Sequence, residues 1–310
     1  MEISPATSPR EQIARQIGGR PELSAGIARL RSSIPNPRFR IGVSISTPVA
    51  LITGASSGIG LSFARELATR GYDLVLVARR RDRLESIAEE LQREHQIQCR
   101  VETVDLARSE EIEPLVDRLE SDGVEVEVLI NNAGYGLSGA FLSRTWKEHE
   151  DFLQVLLLSV CELTHRLLPG MKERGKGRII QVSSFAGFIP GTAGHTLYGA
   201  VKTAMNLFTE CLSLECKGSG VNVTALCPGF TLTEFHDVNG TRERMSGIPG
   251  FMWLNSDRVA REALEDCERG NVYCIPGFFY RSLLTLLGLI PASLRRALVA
   301  STGSSYRDSR

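Results

Sequence analysis

Residues 197–204 read Leu-Tyr-Gly-Ala-Val-Lys-Thr-Ala, placing a phenol at Tyr198 and an ammonium at Lys202 four positions later. On an α-helix such positions are neighbours, with Cβ atoms ~5–6 Å apart, so the proton-bearing phenol and the cation can act on one bound object. A surface pair of no consequence has the same spacing. The elements around the pair therefore have to decide between the two readings.

From Pro48 onward short β-branched runs alternate with amphipathic stretches. The runs are VALIT, DLVLVA, CRVETVD, EVLINN, RIIQVSS, NVTALCP and VYCIP; segments such as LSFARELATRG and RDRLESIAEELQREH lie between them, with apolar positions recurring at three and four. Strands apolar throughout and separated by helices indicate parallel strands covered on both faces. The expectation is an α/β fold: one Rossmann-like, doubly wound parallel sheet of seven strands over residues 48–295, with ligands beyond the strand carboxyl ends. Residues 1–47 hold seven arginines against Glu2, Glu11 and Glu22 and read as a basic, disordered tail; an organellar transit segment is the alternative, opposed by the glutamates and the prolines. Residues 296–310 form a polar C-terminal end.

The first strand runs into TGASSGIG and then an amphipathic helix. Gly54 permits a tight turn, Gly58 a close backbone approach to a ligand, and Gly60 close packing of helix on strand. Ser56, Ser57 and Ile59 complete the loop, and the helix start offers amide donors to a pyrophosphate. Glycines in a strand-to-helix turn can also serve geometry alone.

TGASSGIG, NNAG after the fourth strand, VSS after the fifth, YGAVK, and PGFTLT after the sixth together resemble the short-chain dehydrogenase/reductase family, in order and spacing, over nearly all of residues 48–278. The resemblance implies hydride transfer between nicotinamide C4 and a carbonyl or alcohol carbon, with roles for particular residues. Tyr198 is the acid/base, its phenolate favoured by the charge of Lys202 together with that of the oxidised nicotinamide ring, and Lys202 also bonds the nicotinamide ribose. Ser184 holds the substrate oxygen, with Ser183 as competitor; strand alternation points one serine in and the other away. Asp105, beside Leu106, meets the adenine edge or caps the next helix. Asn132, Ala133 and Gly134 lie against the adenine ribose, while Pro228, Gly229 and Thr233 seat the nicotinamide; Gly229 could instead be a turn glycine.

Enzymes of this kind that prefer the unphosphorylated cofactor usually end the second strand in an acid that bonds the ribose 2′-hydroxyl. Here Ala78 ends it and Arg79, Arg80 and Arg81 follow, which favours NADP through charge-assisted pairing with a 2′-phosphate, Arg81 reading as solvated. A lid over about residues 230–255 is apolar in its second half through Ile248, Phe251, Met252, Trp253 and Leu254, suiting an apolar carbonyl or alcohol substrate or else simply packing on the body. The segment GFFYRSLLTLLGLIPASLRRALV can close the cleft, join a subunit contact in a homo-oligomer, or lie on a membrane surface as a peripheral segment.

Acidic and basic residues balance at 36 each, which argues against a nucleic-acid partner. The seven cysteines form no C-x-x-C pair and the five histidines show no ligand spacing, so buried thiols, no metal centre and a cytoplasmic setting are expected. His165, His195 and His236 read as structural or solvent-facing. The longest apolar stretch, near the end, is too short to span a bilayer. One departure from the family pattern keeps a non-catalytic reading open, as a cofactor sensor or assembly protein: Leu156 stands where the family usually carries an asparagine that holds a water beside the lysine.

Overall fold

The computed structural model describes residues 47–137, 139–191, 193–233, 248–291 and 293–297. Almost all of the basic tail and of the polar end, and the middle of the expected lid (234–247), lie outside the described residues.

Seven parallel strands form one sheet in the order β3-β2-β1-β4-β5-β6-β7. They are β1 (Val49–Thr53), β2 (Asp73–Ala78), β3 (Cys99–Thr103), β4 (Val126–Asn131), β5 (Gly177–Val182), β6 (Val221–Leu226) and β7 (Tyr273–Cys274). Between them run helices α1 (Gly58–Thr69), α2 (Arg81–His95), α3 (Ile112–Ser121), α4 (Trp146–Leu153), α5 (Ser159–Glu173), α6 (Thr196–Glu215) and α7 (Ser256–Glu268), and α8 (Phe278–Leu289) follows β7. The chain order reverses between β1 and β4, so the crevice beyond their carboxyl ends is where a ligand is expected.

Strand alternation builds two cores. Ala50, Ile52, Leu74 and Leu76 point to the side covered by α1, α2, α7 and α8, where Phe63, Leu67, Leu84, Leu264 and Tyr280 pack. Leu51, Val75, Val77 and Leu129 point to the other side, against Leu115, Phe152, Leu163 and Val201 of α3, α4, α5 and α6. Both faces being apolar is why the strands read as continuous hydrophobic runs.

The helical run Trp146–Glu173 begins with a capping box, in which the Glu148 amide donates to Thr145 Oγ1 and the Thr145 amide donates to Glu148 Oε2. It passes from α4 to α5 through a π-helical turn at Gln154–Leu158. By length and composition this run could cross a membrane, which reading single apolar stretches did not register. Here its face of Phe152, Leu156, Leu163 and Met171 is packed into the core.

Candidate active site

The turn after β1 is held by hydrogen bonds that leave its ligand side open. The Gly54 amide donates to Val77 O at 2.8 Å, and Asn132 Nδ2 donates to Thr53 O at 2.9 Å and Gly54 O at 3.2 Å. Thr53 Oγ1 accepts from the amides of Asn132 and Ala133 at 2.9 and 3.0 Å, tying the end of β1 to the end of β4. Gly54 has φ +66° and Gly58 φ +57°, backbone that favours glycine. A side chain at Gly60 would run into Gly54 O and Asn132, so this glycine serves helix–strand contact, as its position in the motif suggests. Ser57, the N-cap of α1, makes no side-chain cap, so the first-turn amides of α1 remain available to an anion.

Arg80 Nη2 reaches back over this loop to Ser56 Oγ at 3.1 Å and Ser57 Oγ at 3.4 Å. Arg79 is exposed beside it, and Ala78 leaves the end of β2 without a carboxylate. Arg81 turns away and pairs with Glu85 at 2.7 Å, a solvated pair within α2. Asp105 Oδ1 accepts from the Ala107 amide at 3.1 Å, closing a local turn without capping the next helix, whose N-cap is Glu111, and the residue also faces the cleft. Leu106 is buried beneath it.

At the other end of the cleft, Ser184 Oγ accepts from the Ala186 amide at 3.1 Å and is hydrogen-bonded with Tyr198. Ser183 turns inward, as strand alternation requires: it is buried, and its hydroxyl donates to Lys202 O at 3.1 Å beside Asn206. Tyr198 and Lys202 share one face of α6. Lys202 Nζ is buried, donates to Val182 O at 2.8 Å and lies 5.8 Å from the Tyr198 ring centroid.

Burial dominates the electrostatics. It lowers the Lys202 pKa to about 8, with Cys227 opposing weakly, and it raises the Tyr198 phenol above its usual value against the Ser184 hydrogen bond. Both groups are desolvated, and the Lys202 ammonium, with one of its three donors on Val182 O, keeps its charge beside the phenol.

Leu156 is 1 % exposed, sits in the π-helical turn and would lie 3.5 Å from a side chain placed on Gly134. Its packing is in the core of the domain, and a π turn at such a position is a frequent mark of functional sites.

The catalytic and cofactor candidates other than Gly60 and Arg81 line one cleft of about 1630 Å³: the loop with Arg79 and Arg80, then Asp105, Leu106, Asn132, Ala133 and Gly134, then Ser184, Tyr198 and Lys202, and finally Pro228, Gly229 and Thr233; of the apolar lid residues Ile248 and Met252 line it, whereas Phe251, Trp253 and Leu254 do not. Sequence reasoning missed further members, His195, Tyr135 and Tyr280 among them. His195, read as structural or solvent-facing, is half-buried on the cleft wall, 6.5 Å from the Tyr198 ring, and burial lowers its pKa. Tyr135 follows the NNAG motif and packs edge-on against Phe152. Tyr280 enters from α8; the only hint of it in the sequence was an aromatic with a polar tip inside an apolar helix.

Among known proteins, the chain is 34 % identical over 194 residues to the human very-long-chain 3-oxoacyl-CoA reductase, covering 60 % of each. It is 33 % identical over 180 residues to the ketoacyl reductase HetN of Nostoc, covering 58 % of this chain and 62 % of that one. The chain thus spans about 60 % of the length of these relatives. Its structure matches a short-chain dehydrogenase from Sphingobium yanoikuyae in complex with NADPH, with TM-score 0.70 and 31 % identity, covering 82 % of this chain and 95 % of that one. It also matches the bulky-bulky ketone specific alcohol dehydrogenase from Comamonas testosteroni, with TM-score 0.65, 29 % identity and coverage of 79 % and 96 %. With a short chain dehydrogenase family model matching residues 48–244 as well, the chain belongs to the short-chain dehydrogenase/reductase family.

Proposed function

We propose that this protein is an NADP-dependent carbonyl reductase, or alcohol dehydrogenase in the reverse direction, acting on an apolar substrate. The observation that carries the proposal is the convergence of Ser184, Tyr198 and Lys202 at the end of β5, in the cleft that also holds the open glycine turn. That turn fits a dinucleotide: two glycines at positive φ, an uncapped helix start and an arginine over its serines. Arg79 and Arg80 would take the 2′-phosphate, the first turn of α1 the pyrophosphate, and Pro228, Gly229 and Thr233 the nicotinamide end.

When bound, the cofactor supplies or accepts the hydride. The chain's own residues do the rest. Ser184 donates a hydrogen bond to the substrate oxygen, Tyr198 gives that oxygen its proton, and Lys202 holds the ribose hydroxyl and adds positive charge beneath the phenol. Ile189, Met252, Leu283 and Leu287 line the cleft wall, which supports an apolar chain or ring system as the substrate body, as do the names of the reductases and the bulky-ketone enzyme that the chain resembles. Seven unpaired cysteines agree with a reducing setting such as the cytoplasm. The outer face of α8, with Phe278 and Leu289 about four-fifths exposed, supports a contact with a second subunit or a membrane surface.

The test is NADPH consumption on a panel of aliphatic, aromatic and steroid-like ketones. Turnover that falls by ~10²–10⁴-fold in Tyr198→Phe is expected. Activity confined to small polar sugars would refute the apolar substrate. Leu156 favours a second reading, a cofactor-binding protein without turnover. NADPH binding with no turnover on the whole panel, by the unmodified chain and by Leu156→Asn alike, would establish that reading instead.

A further inference from the structure

The hydroxyl of Tyr280 joins three separate segments. It donates to Met252 O at 2.8 Å and accepts from the Phe230 amide at 3.0 Å, so its proton and one lone pair are both used. The residue is 3 % exposed, and its ring lies 5.2 Å from that of Phe185, the neighbour of Ser184. The ring also fills the space that a side chain on Gly229 would need. Phe185 in turn donates its amide to Pro228 O at 2.9 Å. The loop 228–230 is thus gripped by Phe185 and Tyr280. It is zipped to the segment carrying Met252 as well, with the Leu254 amide donating to Phe230 O at 2.8 Å and the Leu232 amide to Leu254 O at 3.0 Å.

We infer that Tyr280 is a positioning residue of the cofactor site, its hydroxyl setting the Pro228–Phe230 loop against the nicotinamide end of the cleft. The inference rests on the reading of that loop as the nicotinamide seat. Core filling alone does not account for the geometry. A phenylalanine would supply the same ring volume, whereas both hydrogen bonds of the hydroxyl go to main-chain groups on segments that flank the cleft. The helix carrying Tyr280 also contributes Leu283 and Leu287 to the cleft wall. Gly229 then has a reason beyond turn geometry, because any side chain there evicts the tyrosine ring.

The experiment measures binding of two probes to the full chain. NADPH spans the cleft, whereas 2′,5′-ADP carries the adenosine and 2′-phosphate without the nicotinamide. In Tyr280→Phe the Phe230 amide and the Met252 carbonyl lose their partner, and NADPH should bind roughly tenfold more weakly while 2′,5′-ADP stays within about twofold. Gly229→Ala, which displaces the ring with its hydroxyl intact, should give the same selective loss. Unchanged NADPH binding in Tyr280→Phe would overturn the inference. Equal weakening of both probes, the result of a merely structural role, would overturn it too. An unmodified chain that binds neither probe would refute the cofactor reading itself, and the inference with it.

Discussion

The double substitution Ala78→Asp with Arg79→Asp tests the charge argument for NADP at its source. Ala78 ends β2 at the cleft, Arg79 is exposed next to it, and Arg80 leans over Ser56 and Ser57 at 3.1 and 3.4 Å. A hydrogen bond between a charged donor and a phosphate contributes ~1.5–3 kcal/mol, and the variant removes one guanidinium while adding two carboxylates. With Arg80 still in place, the Michaelis constant for NADPH should rise ~10–100-fold. The value for NADH should stay level or fall, since a carboxylate at the end of β2 can accept the ribose 2′-hydroxyl. The assay is initial rate against each cofactor with one ketone at saturation, repeated at two ionic strengths. Salt should erode the NADPH preference of the unmodified chain, because these cations are exposed and screened. Melting temperature is the control for folding. Equal effects on both cofactors, or a preference indifferent to salt, would refute the reasoning.

Two further substitutions probe the interior of the site. Leu156→Asn removes ~2–3 kcal/mol of apolar burial and should lower the melting temperature by roughly 5–10 °C, with turnover kept or raised; an unchanged melting temperature would show that Leu156 is not a core residue. Lys202 has a folded pKa lowered to about 8, so below that pH the fold carries the cost of a buried cation, and the cost is relieved as pH rises toward the unfolded value. Lys202→Met should therefore exceed the unmodified chain in stability by about 2 kcal/mol at pH 7, after the lost Val182 hydrogen bond is subtracted, and the gap should close toward pH 10; a gap flat with pH in denaturant titrations would contradict the burial assignment.

The parts of this fold legible in the sequence are those set by local rules. Runs buried on both faces show as uninterrupted apolar segments, and VALIT and DLVLVA coincide with β1 and β2. Other limits slip where pairing, not composition, ends a strand. CRVETVD pairs only as far as Thr103, and VYCIP only at Tyr273 and Cys274, where β6 offers two partners. The glycine turn, Ser184, Tyr198 and Lys202 are legible because each is a short motif with a fixed geometry. The π-helical turn at Leu156 is not, since Gln-Val-Leu-Leu-Leu satisfies a helical period with or without an inserted residue. Nor is Tyr280, whose two partners lie 28 and 50 positions away and are main-chain groups without residue-type signal.

The departure at Leu156 has a narrower meaning in three dimensions than along the chain. Lys202 is aimed by Val182 O, the last carbonyl of β5, and the next two residues of the same strand end are Ser183, which fastens α6 through Lys202 O, and Ser184, which meets Tyr198. Phenol, ammonium and serine are thus all referenced to one junction, between β5 and α6. The turn that carries Leu156 is braced independently, by Ser159 Oγ donating to Val155 O at 2.7 Å and by core packing. A leucine side chain has no donor or acceptor, so that of Leu156 aims neither Tyr198 nor Lys202 by a hydrogen bond. An isobutyl group at that position therefore leaves the junction that places Ser184, Tyr198 and Lys202 as it is.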